Sequence, residues 1–438
     1  MQRAFGAFCH HHGLVWRLPL GVLVVSYLTQ CASAQRAFTW QEIRDRFRMV
    51  NPTLLAGQIN LQESKAQETT AYLRPNPDLT STIDQINPFT AQPSPSGNGG
   101  NSYSPFAFAE PYWSASYLHE RGHKRELRLE SAQKGTAVAV SQQADLERNL
   151  LFNLHTAFVQ TLQAKAVLAL AQENLAYYDQ MLSVSNDRFK AGDIAQVDLD
   201  RLQVQRIQYE SDVQTGMVNL RTAKIQLLAL LNDRTPVEQF DVTGRFEDYQ
   251  DLMVTQEELH AVALANRPDL KAAAQSIDKA QTDYRLAVAN GSTDPTFGMD
   301  FARNPPIPVY LGFSVTVPLR IFDRNQGEKA RTQLDISRNQ RLRDAAEAQV
   351  FSDVDSAFAT VNSNLTLLRR YKSAYLAQAG RVRDTIAFSY QRGGASLLDF
   401  LNAQSDYRTV RLNYLNLVGS YLTAGVQLNL ATGQEVIE

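Results

Sequence analysis

Apolar residues recur along this chain with two different periods. Leu146, Leu150, Leu154, Phe158 and Leu162, then Leu168, Leu175 and Leu182, keep three- and four-residue spacing with Gln, Asn and Ala between them, which predicts one face of a helix. No proline occurs from Gly122 to Thr235, and Gly192 is the one plausible break. This first arm is therefore expected to run about 65 residues, or ~100 Å at a rise of about 1.5 Å per residue. Its mate, Leu199 to Leu231, carries Leu202, Tyr209, Val213, Leu220 and Leu227 with near-heptad spacing. A second pair of arms runs from about Gly327 to Tyr390 and from Ser396 to Leu430. Helices this long cannot bury themselves in one globule, so they are expected to pack along one another as coiled-coil hairpins.

The other period is two. Leu311, Phe313, Val315, Val317 and Leu319 alternate with Gly312, Ser314 and Thr316, and Leu79, Ser81 and Ile83 alternate with Asp78, Thr80, Thr82 and Asp84. Strands are expected over about 78–84 and 310–319, with two more near 106–118 and 296–301. Each approaches the roughly 9–11 residues of a tilted barrel strand. Tyr103, Phe106, Phe108, Tyr112, Trp113, Tyr117, Phe297, Phe301 and Tyr310 are suited to the water–lipid girdles of such a barrel, or else to the core of a soluble sheet. Open sheet edges are not tolerated in lipid, and the smallest transmembrane barrels use about eight strands. Four strands in a membrane would thus require several chains, each contributing a stave.

The pattern is written twice. Thr39 to Leu54 aligns without a gap on Thr255 to Leu270, placing Asn51-Pro52 on Arg267-Pro268. Thr156-Ala157-Phe158 matches Ser356-Ala357-Phe358, and Arg188 to Gly192 leading to Asp198 matches Ser389 to Gly393 leading to Asp399. The two repeats are read as 35–248 and 249–438, the first carrying an extra Pro-, Gly- and Ser-rich loop, Gln85 to Ser104. Each reads as helix, two strands, long helix, tight turn, helix.

Residues 1–34 read as a signal peptide: Arg3 and Arg17, an apolar run from Leu18 to Leu28, and small residues Ala32 to Ala34, with cleavage between Ala34 and Gln35. The competing reading is a lipoprotein box, Leu28 to Cys31, with Cys31 as the lipidated first residue of the mature chain, against which Gln30 argues. The apolar run is too short to span a membrane, which takes roughly 20 residues, and no later segment reaches that length.

Of the 438 residues, Lys+Arg 43 against Asp+Glu 45 leaves a net charge of -2, with no electrostatic footprint for a nucleic acid. The two cysteines, Cys9 and Cys31, both lie in or beside the leader, so no thiol nucleophile or Cys-ligated metal is expected after them. His119, His123, His155 and His260 lack metal-ligand spacing, and no phosphate loop or nucleophile–base pairing stands out. Neither an enzyme nor a cofactor is expected.

Taken in order, Asn51-Pro52, Arg267-Pro268, Pro75 and Pro77 before the first strand, the Gly192 and Gly393 turns, Asp399, and Ala431-Thr432-Gly433 make the chain resemble the TolC-like outer membrane efflux proteins, or outer membrane factors. Gly122-His123-Lys124-Arg125, Pro318-Leu319 and Phe322 to Gly327 look most like the heavy-metal cation efflux branch. The resemblance implies a homotrimer in the outer membrane, with a 12-stranded β-barrel and an α-helical periplasmic tunnel. It implies a passive exit duct, with an inner-membrane pump of the RND type, or an ABC transporter, driving export through a periplasmic adaptor. At the hairpin tips, about 188–198 and 389–402, Arg188, Lys190, Gly192, Arg392 and Gly393 match the adaptor-contact motif. Asp399 matches the aspartate that constricts the periplasmic mouth, and Asn402 stands where many relatives carry a second one. Tyr390 and Asp198 match the lock between neighbouring hairpins, with Ala395 in place of the lock arginine. Two other readings stay open: the exit of a type I protein secretion system, and a periplasmic coiled-coil scaffold without a pore.

Overall fold

The computed structural model describes residues 37–93, 99–106, 109–248, 254–304 and 307–437. Cys31, Ala34, Gln35 and Phe108 lie outside the described residues. The chain opens with β1 (Ala37–Phe38), α1 (Trp40–Val50) and α2 (Pro52–Tyr72). Thr39 starts α1 with a capping box, its hydroxyl accepting from the Glu42 amide at 3.4 Å while the Glu42 carboxylate accepts from the Thr39 amide at 3.0 Å. Where the sequence reading expects one helix before the strands, there are two. Pro52 disfavours helical geometry at Asn51, whose side chain instead caps α2 by accepting from the Leu54 amide at 3.0 Å.

Next come β2 (Asp78–Asp84), β3 (Gln92–Pro93), β4 (Asn101–Ser102) and β5 (Glu110–Leu118), then α3 (Lys124–Lys190) and α4 (Gln196–Leu230). They are followed by β6 (Asp241–Val242), α5 (Gln256–Asn266), α6 (Pro268–Asn290), β7 (Thr296–Asn304), β8 (Ile307–Thr316) and α7 (Gln326–Arg370). After one π turn at Tyr371–Tyr375 the chain ends in α8 (Leu376–Gln391) and α9 (Leu397–Thr432). The cap of α5 repeats that of α1, with Thr255 and Glu258 in the reciprocal pair.

Strand limits shift from the expectation for local reasons. β5 begins at Glu110, not 106, because Ala109 N–H bonds back to Phe106 in a turn. β8 stops at Thr316, just before Pro318, which has no N–H to extend the ladder. α3 is unbroken for 67 residues, whereas its counterpart is interrupted by the π turn.

β2, β5, β7 and β8 form one antiparallel sheet in that order. Its register puts Leu79, Ala115, Met299 and Phe313 in one row and Ser81, Trp113, Phe301 and Leu311 in another. Successive side chains alternate across a sheet, so these rows share a face with Ile83, Tyr117, Phe297 and Val315. The opposite face carries Thr80, Thr82, Ser114, Ser116, Asp300 and Ser314, with Tyr112 donating to Asp300 at 2.6 Å. Tyr112 and Tyr310 therefore belong to the polar face and not to an aromatic girdle. Leu79 is 78% exposed and Phe313 77%, so the apolar face is left uncovered by the described residues.

Below the sheet, α2, α3, α6 and α7 pack side by side. Further on, α1, α5 and the parallel pair β1–β6 surround the hairpins over a core in which Ile43, Phe47, Leu154, Leu259, Val354 and Tyr421 are fully buried. Buried Arg267 ties this level together, reaching Asp269 at 2.6 Å and Asp353 at 2.7 Å. No described helix is long and apolar enough to cross a membrane.

Candidate functional site

The two hairpin tips are built alike. α3 ends in a pair of bonds from Gly192 N–H to Phe189 O at 3.0 Å and from Asp193 N–H to Arg188 O at 2.9 Å. α8 ends in the same pair, Gly393 N–H to Tyr390 O at 3.0 Å and Gly394 N–H to Ser389 O at 2.8 Å. This Schellman closure needs a left-handed residue, and Gly192 (φ 84°) and Gly393 (φ 78°) supply it without a Cβ penalty. Both glycines, with Lys190 and Arg392, are exposed at the tips. Lys190 lies 3.4 Å from Asp187, and the Arg392 guanidinium sits 4.1 Å over the Phe388 ring.

Arg188 points elsewhere. Its guanidinium donates to the carbonyl of Tyr390 on the other hairpin at 2.6 Å and lies 5.3 Å from the centre of that ring. It therefore bridges the two hairpins of one chain, while Lys190 and Arg392 remain at the surface. Tyr390 is buried, stacked 5.1 Å from Phe400, with its hydroxyl 3.4 Å from Ser185 Oγ. Asp198 is not brought to it: this aspartate is the third residue of α4, half-exposed.

Asp399 occupies the same position in α9 and does local work as well. Its carboxylate accepts from the Ser396 hydroxyl at 2.6 Å and from the Ser396 amide at 3.1 Å. The hydroxyl bond, then the backbone bond, hold its pKa below the usual carboxylate range. α4 lacks the device because Ala195 stands where α9 has Ser396. Asp399 and Asn402 are both exposed and lie three residues apart, about one turn of α9, beside buried Phe400 and Ala403.

Sequence reasoning missed the distal core beneath the tips. Tyr178 and Tyr209 stack at 4.5 Å, Tyr178 donates to Leu202 O at 3.0 Å, and Arg408 pairs with Asp212 at 2.8 Å across the hairpins. Burial pushes the Tyr209 hydroxyl up to about 12, against the opposing pull of Arg408. The Ser396-x-x-Asp399 spacing was a readable signal for the cap; nothing local signals the Arg188–Tyr390 bridge.

Among the described residues no group of three or more His, Cys, Asp or Glu could hold a metal ion. His155 instead stacks on Trp40 at 3.9 Å, and His260 packs against Phe351.

Each chain thus carries two long hairpins joined to a sheet with one bare apolar face. Residues 307–434 match the family "Outer membrane efflux protein". The chain is 23% identical over 319 residues to the cobalt-zinc-cadmium resistance protein CzcC of Cupriavidus metallidurans, covering 72% of this chain and 75% of that one. It is 21% identical to the outer membrane protein TolC of Escherichia coli, over 94% of this chain and 86% of that one. The crystal structure of the channel protein CusC shares the fold at a TM-score of 0.73 and 17% identity, covering 90% of this chain and 92% of that one. The chain is thus similar along most of its length to the TolC-like outer-membrane efflux channels and shares their fold, with the family match lying in its second half.

Proposed function

We propose that three copies of this chain form a passive exit duct, each giving four strands to a 12-stranded barrel and two hairpins to a periplasmic tunnel. The observation that carries this is the two-faced sheet. An apolar face left in water forgoes about 1.5–3 kcal/mol for each large side chain, whereas lipid satisfies it. The edges β2 and β8 have no partner strand among the described residues, and lipid forbids open edges, so neighbouring copies must close the ring. The two repeats, 35–248 and 249–438, supply equivalent parts.

A periplasmic adaptor docks on Lys190, Gly192, Arg392 and Gly393, and an inner-membrane pump, RND-type or ABC, drives transport. Asp399 forms a carboxylate ring at the periplasmic mouth, and Asn402 a polar, uncharged one beside it. The similarity to a cobalt-zinc-cadmium resistance protein favours divalent metal cations as cargo. The test is a pair of substitutions in adjacent residues. Phe313→Arg on the apolar face, costing about 2–4 kcal/mol at mid-membrane, removes the trimer from outer-membrane fractions, while Ser314→Arg on the polar face leaves the trimer and alters conductance. Equal tolerance of both would overturn the barrel.

A further inference from the structure

The foot of the sheet, where strands give way to helices, carries chemistry that export does not use. Beside Tyr117 lies a cavity of about 210 Å³ lined in part by Arg74, His119, Lys124 and Arg125. Tyr117 pairs with Phe297, and Phe297 with Val315, so its ring belongs to the apolar face. Lys124 is already matched, 3% exposed and 2.6 Å from Asp294. Glu120 is bound bidentately by Arg128, and Glu126 lies 3.0 Å from Arg125. Arg125 has capacity left: its guanidinium covers the Tyr72 ring at 4.4 Å, but its Nε is buried without a partner. Arg74 is exposed and makes no ion pair among the described residues.

At the other edge of the sheet the same end is apolar and basic too. Leu319 is 80% exposed and Phe322 90%, interleaved with Arg320 and Arg324. This loop is braced, since Asn325 donates to Ala287 O at 2.7 Å and Gln326 donates to Phe322 O at 3.1 Å. Its apolar side chains are therefore held outward by a fixed backbone.

We propose that this foot binds an anionic phospholipid of the periplasm-facing leaflet, with acyl chains along the apolar face by Tyr117 and the phosphate between Arg74 and Arg125. Apolar surface directly above exposed Arg74 and the partly paired Arg125 matches a lipid with a phosphate head, and Arg is suited to bidentate phosphate bonding. The proposal rests on the membrane placement of the sheet given above. A cation near a lipid headgroup contributes about five-fold in affinity for an anionic lipid, so two contribute about 30-fold.

Native mass spectrometry of the purified full-length oligomer, delipidated and titrated with phosphatidylglycerol or phosphatidylethanolamine, tests it. Wild type retains phosphatidylglycerol preferentially. Arg74→Gln lowers that retention about five-fold, and Arg74→Gln with Arg125→Gln about 30-fold. Arg74 is exposed, so the single variant reads binding even if Arg125, stacked on Tyr72, proves necessary for folding. Equal retention of the two lipids, unchanged retention in Arg74→Gln, or displacement of phosphatidylglycerol by millimolar inorganic phosphate overturns the proposal. Insertion into phosphatidylethanolamine–phosphatidylglycerol nanodiscs without lipid preference sinks this inference alone, whereas failure to insert sinks the channel reading with it.

Discussion

Arg188→Ala removes a guanidinium that reaches from the tip of the first hairpin to the second. Two interactions go with it: the 2.6 Å bond to Tyr390 O and the contact at 5.3 Å with the Tyr390 ring. A bond from a charged donor contributes about 1.5–3 kcal/mol and an accessible cation–π contact about 0.5–1. The Tyr390 carbonyl keeps its bond from Gly393 N–H at 3.0 Å, so it is not orphaned and the loss falls at the lower end, about 2–3 kcal/mol in total. If closure of the periplasmic mouth depends on the hairpins staying together, the closed-to-open ratio falls about 30- to 150-fold. Single-channel recording in planar bilayers reads this as a rise in open probability, and Arg188→Lys, which keeps the charge but not the planar fork, lies between. Hydrogen exchange at the Gly393 amide gives an independent measure, since that amide bonds the same carbonyl. Unchanged open probability together with unchanged exchange at Gly393 would refute the view that Arg188 couples the hairpins.

Two further outcomes are expected. His155 is held neutral by burial, then by Arg44, which lower its pKa from 6.5 to about 4; the unfolded chain takes up a proton that the fold refuses, so stability is intact above about pH 6.5 and falls by about 3 kcal/mol on the way to pH 4. Melting curves from pH 7.5 to 4.5 should show this slope, and His155→Phe should flatten it. Asp399→Ala removes the carboxylate half of the α9 capping box and the proposed carboxylate ring, so divalent block is expected to weaken and amide exchange at Ser396 to rise; conductance and block that stay at wild-type values would show that Asp399 is not the constriction. Because the folded carboxyl is more acidic than the unfolded one, the capping contribution is present at neutral pH and is lost as pH falls through the folded value.

Much of the fold was legible because its two periods are long and clean. The stripe from Leu146 to Leu182 and the alternation from Leu311 to Thr316 each repeat often enough to outweigh local noise. The limits of elements were less legible, since they turn on single groups: the missing N–H of Pro318, the turn that uses the Ala109 amide, the cap at Asn51. The tips were read correctly as glycine reversals but incompletely as a site. Arg188 and Lys190 look alike in sequence, one turn-end cation beside another, and only the approach of α8 separates them. The pairing of Tyr178 with Tyr209 could not be read either, because which faces of two helices meet depends on their packing and not on either stripe alone.

The π turn at Tyr371–Tyr375 makes the two long arms geometrically unequal. A π turn takes up about one residue more than an α turn, and each residue advances a helix by about 100°. The apolar stripe of α7 is therefore out of phase with that of α8 by about that angle, although the two are nearly continuous. Tyr371 packs on the main core while Tyr375, 5.4 Å from it ring to ring, is 45% exposed, which locates the phase step between them. One arm is a uniform rod, and the other is two shorter rods clocked against each other, with the step between them roughly a quarter of the way up from the second tip, well short of the sheet.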